Sequence, residues 1–405
     1  MSATFIHRVR IRNYKSIASA DVQLNELVFL LGRNGAGKSN FLDALRFISD
    51  ALKTYLDHAL RERGTIREVR RRSGGHPNHF SIRVDFHLPG GDTGHYSFRI
   101  GAKPAGGFIV QDEECVVDRH SVEKDHHFFR VKEGELLEAS FAPAPTVVSD
   151  RLYLVMASGV PPFGQVFEAL SRIEVYNLNP KEIASMQQPD PGEILRRDGS
   201  NAASVLQRLD DPSRDLVNSH LKEIVSGIMG AETKTLGGQE TIEFRQKVRG
   251  QANPWRFLAG AMSDGTLRAL AILIAIFQAG SKHQGAHPPL LIGIEEPEIA
   301  LHPAAAKVLL GALREGARFC QILVTSHSPD LLDFEDIEPE SLLSVDNVDS
   351  LTRIGPIDST GKDMLRQKLF TAGELLRQDQ IQADETAAFD ARERQLRLFE
   401  KDGGQ

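Results

Sequence analysis

The sequence predicts an α/β fold: a mixed or parallel sheet with helices on both faces, joined to an antiparallel β subdomain and a helical insertion. Three observations carry that expectation. Residues 20–52 run from an apolar strand pattern through the turn "GRNGAGKS" into an amphipathic helix. Between 263 and 328, apolar runs alternate with helical stretches, as in a parallel sheet covered on both faces. From about 79 to 140 the rhythm changes to period two, with Gly, Pro and Asp between the runs, as in antiparallel hairpins.

The elements follow in order. "FIHRVRIR" (5–12) alternates apolar and basic residues and reads as a strand, 20–32 as a second strand ending on Gly32, and 39–52 as a helix. After the meander, the Pro- and Gly-rich residues 141–165 read as a connection. A strand (172–178), helical stretches (192–209 and 213–229) and a short β segment (240–248) come next. Residues 263–280 form a helix apolar nearly all round, hence buried. "PLLIGIEEPE" (289–298) and "QILVTSHSP" (321–329) read as buried strands with a helix between them. The charged tail beyond 379 is expected to be a loose helix ending in disorder. The expected division is 1–75, first part of the α/β lobe; 76–170, β subdomain; 171–255, insertion; 256–355, second part of the lobe; 356–405, C-terminal helices and tail.

Bulk properties narrow the function. A chain of 405 residues is long for one core, so two or more lobes are expected. A formal charge of −7 excludes a surface coated with nucleic-acid-binding charge, and any DNA contact must come from a local patch. Cys115 and Cys320 lie far apart without metal or redox spacing, as free thiols in a reducing cytoplasm would. The N-terminus lacks the apolar core of a signal peptide, and the longest apolar run, "ALAILIAIF" (269–277), is too short to span a bilayer. A cytoplasmic protein without membrane contact is expected.

Four motifs carry chemistry. Gly32-x-x-x-x-Gly37-Lys38-Ser39, between strand and helix, is the spacing of a phosphate-binding loop. Its N–H groups and helix start face an anion, Lys38 reaches the β- and γ-phosphates, and Ser39 ligates Mg²⁺. Glu295 and Glu296 end an apolar strand, where paired acids need a cation beside them. Strand alternation points them in opposite directions, so Glu295 is assigned to the metal and Glu296 to orienting and deprotonating the attacking water. Ser263-Asp264-Gly265-Thr266 caps the apolar helix and makes a second anion site at its positive end. Two such helix ends in one chain suggest that each closes on a different nucleotide. His327, at a strand's C-terminal edge, lies where ligands bind in open α/β sheets and is placed to sense a γ-phosphate.

In this order, the four motifs resemble the ABC-type ATPase heads of the RecF, SMC and OLD families, and most closely the small prokaryotic RecF-like "AAA family" ATPases of genome maintenance and phage defence. "IRNYKSIASADVQL", "DGSNAASVLQRL" and "EEPEIALHP" also look like stretches of that group. The resemblance implies a P-loop NTPase of ABC-ATPase head type that uses ATP and Mg²⁺. Asn34, Gly35, Ala36, Gly37, Lys38, Ser39 and Asn40 would hold phosphate and metal. Ser263 and Gly265 would contact the γ-phosphate of the opposite subunit in an ATP-held homodimer. Glu296 would be the catalytic base, His327 the switch histidine, and residues 298–303 the loop crossing the interface. Glu295 stands where an Asp is commoner, and the signature reads Ser-Asp-Gly-Thr where transporters have Ser-Gly-Gly-Gln. No glutamine stands in the slot that senses Mg²⁺. "VYNLNPKE" (175–182) occupies it, which makes Asn179 the candidate metal ligand, ahead of Gln187 or Gln188.

The chain carries no long heptad array for a coiled-coil arm, and the roughly 50 residues after 355 are too few for a fused nuclease. An effector, such as a nuclease, is therefore expected on another polypeptide. Arg61, Arg63, Arg67, Arg70, Arg71 and Arg72, within the segment 60–75, are the candidate contact with DNA phosphates or an acidic partner, set against a merely solvated helix. Trp255 is expected in core or interface. The leading expectation is an ATPase engine that dimerises on ATP and drives a DNA-linked process, repair or anti-phage defence. A nucleotide-sensing scaffold with little turnover is the alternative, and the signature and β meander weigh against a transporter subunit.

Overall fold

The computed structural model describes residues 5–72, 77–120, 125–282, 287–348 and 351–384; residues 73–75 of the arginine-rich segment and the tail beyond 384 lie outside the described residues. The chain divides into two compact units, one gathering Ala3–Ile173, Glu338–Leu369 and Asp379–Gln405, the other Glu174–Ile337 and Phe370–Gln378.

The first unit opens with the antiparallel pair β1 (Ile6–Tyr14) and β2 (Ile17–Gln23), then β3 (Leu27–Leu31), which leads through the glycine loop into α1 (Lys38–Lys53). The expected single strand over 20–32 is thus two, broken at residues 24–26, where the Leu24 N–H turns to the His7 carbonyl. One face of α1 buries Phe41, Leu42, Leu45, Ile48 and Leu52, the helical spacing seen in the sequence. Short helices α2 (Leu56–Arg61) and α3 (Ile66–Val69) follow. The expected meander is present as β4 (His79–His87), β5 (Thr93–Ala102), β6 (Phe108–Asp118), β7 (His126–Lys132) and β8 (Glu135–Ala139), antiparallel throughout and hydrogen-bonded to β1 through β4. The stretch expected as a connection holds two helices, α4 (Tyr153–Ala157) and α5 (Pro161–Ser171). Pro161 and Pro162 sit at the start of α5, where a missing N–H leaves no bond unmade.

Glu113 of β6 is fully buried, and its carboxylate accepts from the Tyr153 and Leu154 N–H groups, at 2.5 and 2.8 Å, and from the Tyr96 hydroxyl at 2.9 Å. Burial lifts its pKa to about 7, against the opposing pull of those donors. A carboxyl whose folded pKa is raised favours the folded state while protonated, so its share of stability falls as pH rises from about 4.5 to about 7. In thermal melts at stepped pH, that part of the wild-type slope should vanish in Glu113→Gln; an unchanged slope would show that Glu113 does not titrate there.

The second unit begins with β9 (Ile173–Tyr176), α6 (Pro180–Ala184), α7 (Ala202–Arg208) and α8 (Asp211–Ile224). The helix expected over 192–209 is confined to α7, because Gly192 and Gly199 both adopt left-handed backbone and Asn201 Oδ1 takes the Arg196 N–H. A separate antiparallel sheet, β10 (Ile228–Leu236), β11 (Gln239–Gln246) and β12 (Trp255–Leu258), surrounds the single β segment expected here. Trp255 lies on its edge, half exposed rather than in the core. The apolar helix α9 (Asp264–Phe277) is buried at every position from Leu267 to Phe277 except Arg268. β13 (Leu291–Glu295), α10 (Ala306–Gly316) and β14 (Gln321–Ser326) form a strand–helix–strand unit with the two strands parallel.

The chain then returns to the first unit with a hairpin the sequence pattern does not show, β15 (Leu342–Val348) and β16 (Leu351–Pro356), followed by α11 (Ser359–Arg366); α12 (Ala372–Arg377) belongs to the second unit. The strand order in the first unit is β8-β7-β6-β5-β4-β1-β2-β16-β15-β3, with β16 parallel to β2 and β15 parallel to β3; in the second it is β14-β13-β9. The sheet is mixed, as expected. Residues 381–384, placed in a loose tail from sequence, are tied to this hairpin by Ser344 Oγ to the Ile381 carbonyl and by the Asp384 N–H to the Pro356 carbonyl. Among the described residues no helix is long and apolar enough to cross a membrane.

Candidate active site

The first unit holds the phosphate loop. Its shape depends on two glycines. A Cβ on Gly32 would stand 2.0 Å from the Val345 carbonyl oxygen, and one on Gly37 would stand 2.2 Å from Thr352 Oγ1. Gly37 also carries φ 111° as the cap of α1. Lys38 folds back over the loop, donating to the Gly32 carbonyl at 2.6 Å and the Arg33 carbonyl at 3.0 Å. Asn34, Gly35 and Ser39 are exposed, while Ala36 is buried. Asn40, assigned to the ligand from sequence, here supports the loop from below. Its Nδ2 donates to Ser16 Oγ at 2.6 Å, Ser16 pairs with Thr352 Oγ1 at 2.6 Å, and Thr352 donates to the Ala36 carbonyl at 2.8 Å. Ser16 belongs to the "NYKS" stretch noted in the sequence; Thr352 carries no local signal.

The arginine-rich segment is not exposed throughout. Arg63 is not a surface residue: its side chain is 4% exposed, with Nε 2.9 Å from Asp43 Oδ1 and Nη2 2.7 Å from Asp50 Oδ2. Its guanidinium lies over the Phe47 ring at 5.2 Å. Asp43 also accepts from Tyr14 at 2.7 Å and pairs with Lys15 at 2.5 Å. Burial raises the Asp43 pKa, but Arg63 and Lys15 outweigh it and hold the carboxyl below its ordinary value. The cluster anchors α1 behind the loop. Of the others, Arg61 pairs with Asp57 and Arg72 with Glu68 within the segment, Arg70 donates to the Pro77 carbonyl, and Arg67 is exposed. Arg71 is half-buried, with its backbone N–H on the Asn13 carbonyl.

The second unit holds the acids. β13 ends at Glu295, and Glu296 enters a left-handed turn with φ 46°. The two carboxylates diverge through that turn rather than through strand alternation. Glu295 Oε1 lies 3.4 Å from Arg197 Nη2, a partner 98 residues away that the sequence did not reveal. Glu296 Oε1 lies 3.1 Å from His327 Nδ1. The Glu296 N–H is held by the Thr325 carbonyl at 3.0 Å and by Thr325 Oγ1 at 3.2 Å. Arg268, one turn into α9, bonds the Glu295 and Glu296 carbonyls through Nη2 at 3.1 and 3.2 Å. Burial lowers its pKa, with Glu298, Glu296 and Glu295 opposing. One helix thus clamps the turn that presents Glu296.

The same helix starts at the Ser263-Asp264-Gly265-Thr266 stretch. Ser263 Oγ accepts from the Thr266 N–H at 3.3 Å, the cap expected from sequence. Gly265 has a reason inside the chain: a Cβ there would meet the Ala300 carbonyl oxygen at 2.3 Å. Asn179 serves as the cap of α6, its Oδ1 accepting from the Lys181 N–H at 3.1 Å. Gln187 is buried, and its Oε1 takes the Ala203 N–H. Gln188 is exposed. Of the metal donors assigned from sequence, Ser39 lies in the first unit and Asn179 and Glu295 in the second, and each offers oxygen, the donor type that suits Mg²⁺. Gly32 and Gly37 leave no room for a Cβ, which fixes the loop backbone whose N–H groups a phosphate chain would meet, while Gly35 faces open space.

A family model described as "AAA domain, putative AbiEii toxin, Type IV TA system" matches residues 27–333. No curated protein matches the sequence. An SMC head crystallised with the C-winged helix domain of ScpA is similar to the chain at TM-score 0.54 and 14% identity, over 86% of this chain and 97% of that one. An SMC head with an extended coiled coil, bound to the C-terminal domain of ScpA derived from Pyrococcus furiosus, is similar at TM-score 0.54 and 13% identity, over 90% and 99% of the two chains. At these identities the likeness concerns the fold, which is that of an RecF/SMC-like ABC-type ATPase head.

Proposed function

From a chain that belongs to the AAA-domain family matched over residues 27–333, we propose an enzyme that binds ATP and hydrolyses it to ADP and phosphate. The observation that carries this is the Glu296–His327 contact of 3.1 Å on a turn clamped by Arg268. A carboxylate so held orients a water and takes its proton. The loop N–H groups from Asn34 to Asn40 bind the phosphates, and Lys38 turns from its loop carbonyls to the β- and γ-phosphates. Ser39 and Glu295, with Asn179 as third candidate, would hold Mg²⁺, which would neutralise charge on the phosphates.

In this reading Ser263 and Gly265 complete the site of a second copy, so that ATP holds two heads together and hydrolysis frees them. The engine then drives a DNA-linked process in the cytoplasm, repair or defence, through a separate effector. The matched family's association with a type IV toxin–antitoxin system supports the defence side. Exposed Arg67, with Arg61, Arg70, Arg71 and Arg72 beside it, is the segment offered to DNA. The Arg197–Glu295 pair favours a second reading, a nucleotide-sensing scaffold with little turnover, since it occupies a carboxylate that the metal requires.

Steady-state ATPase assays with and without DNA, paired with light scattering with and without ATP, decide between them. Many turnovers and an ATP-dependent doubling of mass are expected. A single turnover with retained nucleotide would move the reading to the scaffold, and no ATP binding would end both.

A further inference from the structure

Glu298 closes the stretch Glu295-Glu296-Pro297-Glu298 and has no part in the chemistry above. Its Oε1 accepts from Ser326 Oγ at 2.7 Å and faces the His327 backbone N–H at 3.4 Å. Ser326 is fully buried, and its hydroxyl oxygen accepts from the Ser328 N–H at 3.1 Å. One carboxylate oxygen thus holds His327 from both sides: through its own N–H, and through the serine that fixes its neighbours. On the other side of the histidine, Thr325 holds the Glu296 N–H. The turns that follow β13 and β14 are laced together at these points, and the Glu296–His327 contact lies between the laces.

We propose that Glu298 is a positioning residue, which sets the backbone at His327 so that the imidazole meets Glu296. The proposal rests on the reading of Glu296 and His327 as the hydrolytic pair. The His327 side chain is 38% exposed, so packing alone does not fix the ring. A fixed backbone on both flanks removes the freedom that would otherwise move the ring from its partner, and small misplacements at a reacting centre are costly. Glu298 Oε2, by contrast, is buried without a hydrogen-bond partner, so the bonding role belongs to Oε1.

The test is kinetic, on the full chain, with Glu298→Ala, Glu298→Gln, Ser326→Ala and the double variant Glu298→Ala/Ser326→Ala. Glu298→Ala should lower kcat by about 10-fold or more while KM for ATP stays within about 2-fold. Glu298→Gln keeps an acceptor at Oε1 and should stay within about 3-fold of wild type, well above Glu298→Ala. Ser326→Ala should slow turnover as Glu298→Ala does, and the double variant should be no slower than the worse single one. A wild-type kcat in Glu298→Ala, a loss carried by KM, a glutamine as slow as alanine, or additive losses would each overturn the proposal. Thermal melting checks folding, and Glu298→Gln with Ser326→Ala keeps the test open if Glu298→Ala does not fold. Failure of the underlying reading shows differently: no turnover in wild type, or undiminished turnover in Glu296→Gln.

Discussion

Glu296→Gln should lower ATP turnover by about 10²- to 10⁴-fold, the range for losing a general base, while ATP binding persists. The substitution is nearly isosteric. The amide oxygen can still accept from His327 Nδ1, and the N–H bonds to Thr325 and the carbonyl bond to Arg268 belong to the backbone. The left-handed φ of 46° is borne equally by either residue. What the amide cannot do is take a proton from water at neutral pH. The loss should therefore appear in kcat with KM little moved, and light scattering should show the ATP-bound dimer persisting. A Glu296→Gln protein that hydrolyses within a few-fold of wild type would remove Glu296 as the base. One that no longer binds ATP would show that the residue supports the fold instead.

What was readable in the sequence, and what was not, follows from how far each signal extends along the chain. β13 and α9 announce themselves by unbroken apolar runs, and the phosphate loop by glycines whose spacing matches its turn. These are local patterns. The β15–β16 hairpin was missed because its place between β2 and β3 is a pairing with strands some 300 residues earlier, which no local window contains. The support under the loop is equally distant: Ser16 and Thr352 stand 336 residues apart in sequence. Arg63 illustrates a different limit. A run of arginines reads the same whether it meets water or buried acids, and only Asp43 and Asp50, on the facing helix, show that this one is interior. The acids Glu295 and Glu296 were assigned separate roles, and they do face different partners. The cause was hidden, because a left-handed residue at a strand end leaves no mark when it is not glycine.

Gly37→Ala should unfold the first unit more readily, by about 3 kcal/mol, and abolish nucleotide binding even where the chain remains folded. Two effects add. An L side chain in the left-handed region costs about 1–2 kcal/mol, and forcing a carbon into packed space costs about 1–3 kcal/mol. The added Cβ would lie 2.2 Å from Thr352 Oγ1 and 2.6 Å from its γ-methyl carbon. Thr352 cannot simply rotate away, because its hydroxyl is bonded to the Ala36 carbonyl and to Ser16. Relief must come from the loop itself, whose N–H groups would then no longer converge on a phosphate. For a unit of this size the melting temperature should fall by roughly 10 °C. The partner of the clash can be removed: in Gly37→Ala/Thr352→Ala only the Thr352 Cβ, 3.0 Å away, still presses on the new methyl. The double variant should therefore be less destabilised than the sum of the singles by about 1 kcal/mol or more. Strict additivity in chemical denaturation, or a Gly37→Ala protein that melts and binds ATP as the wild type does, would show that the loop is not held by Thr352.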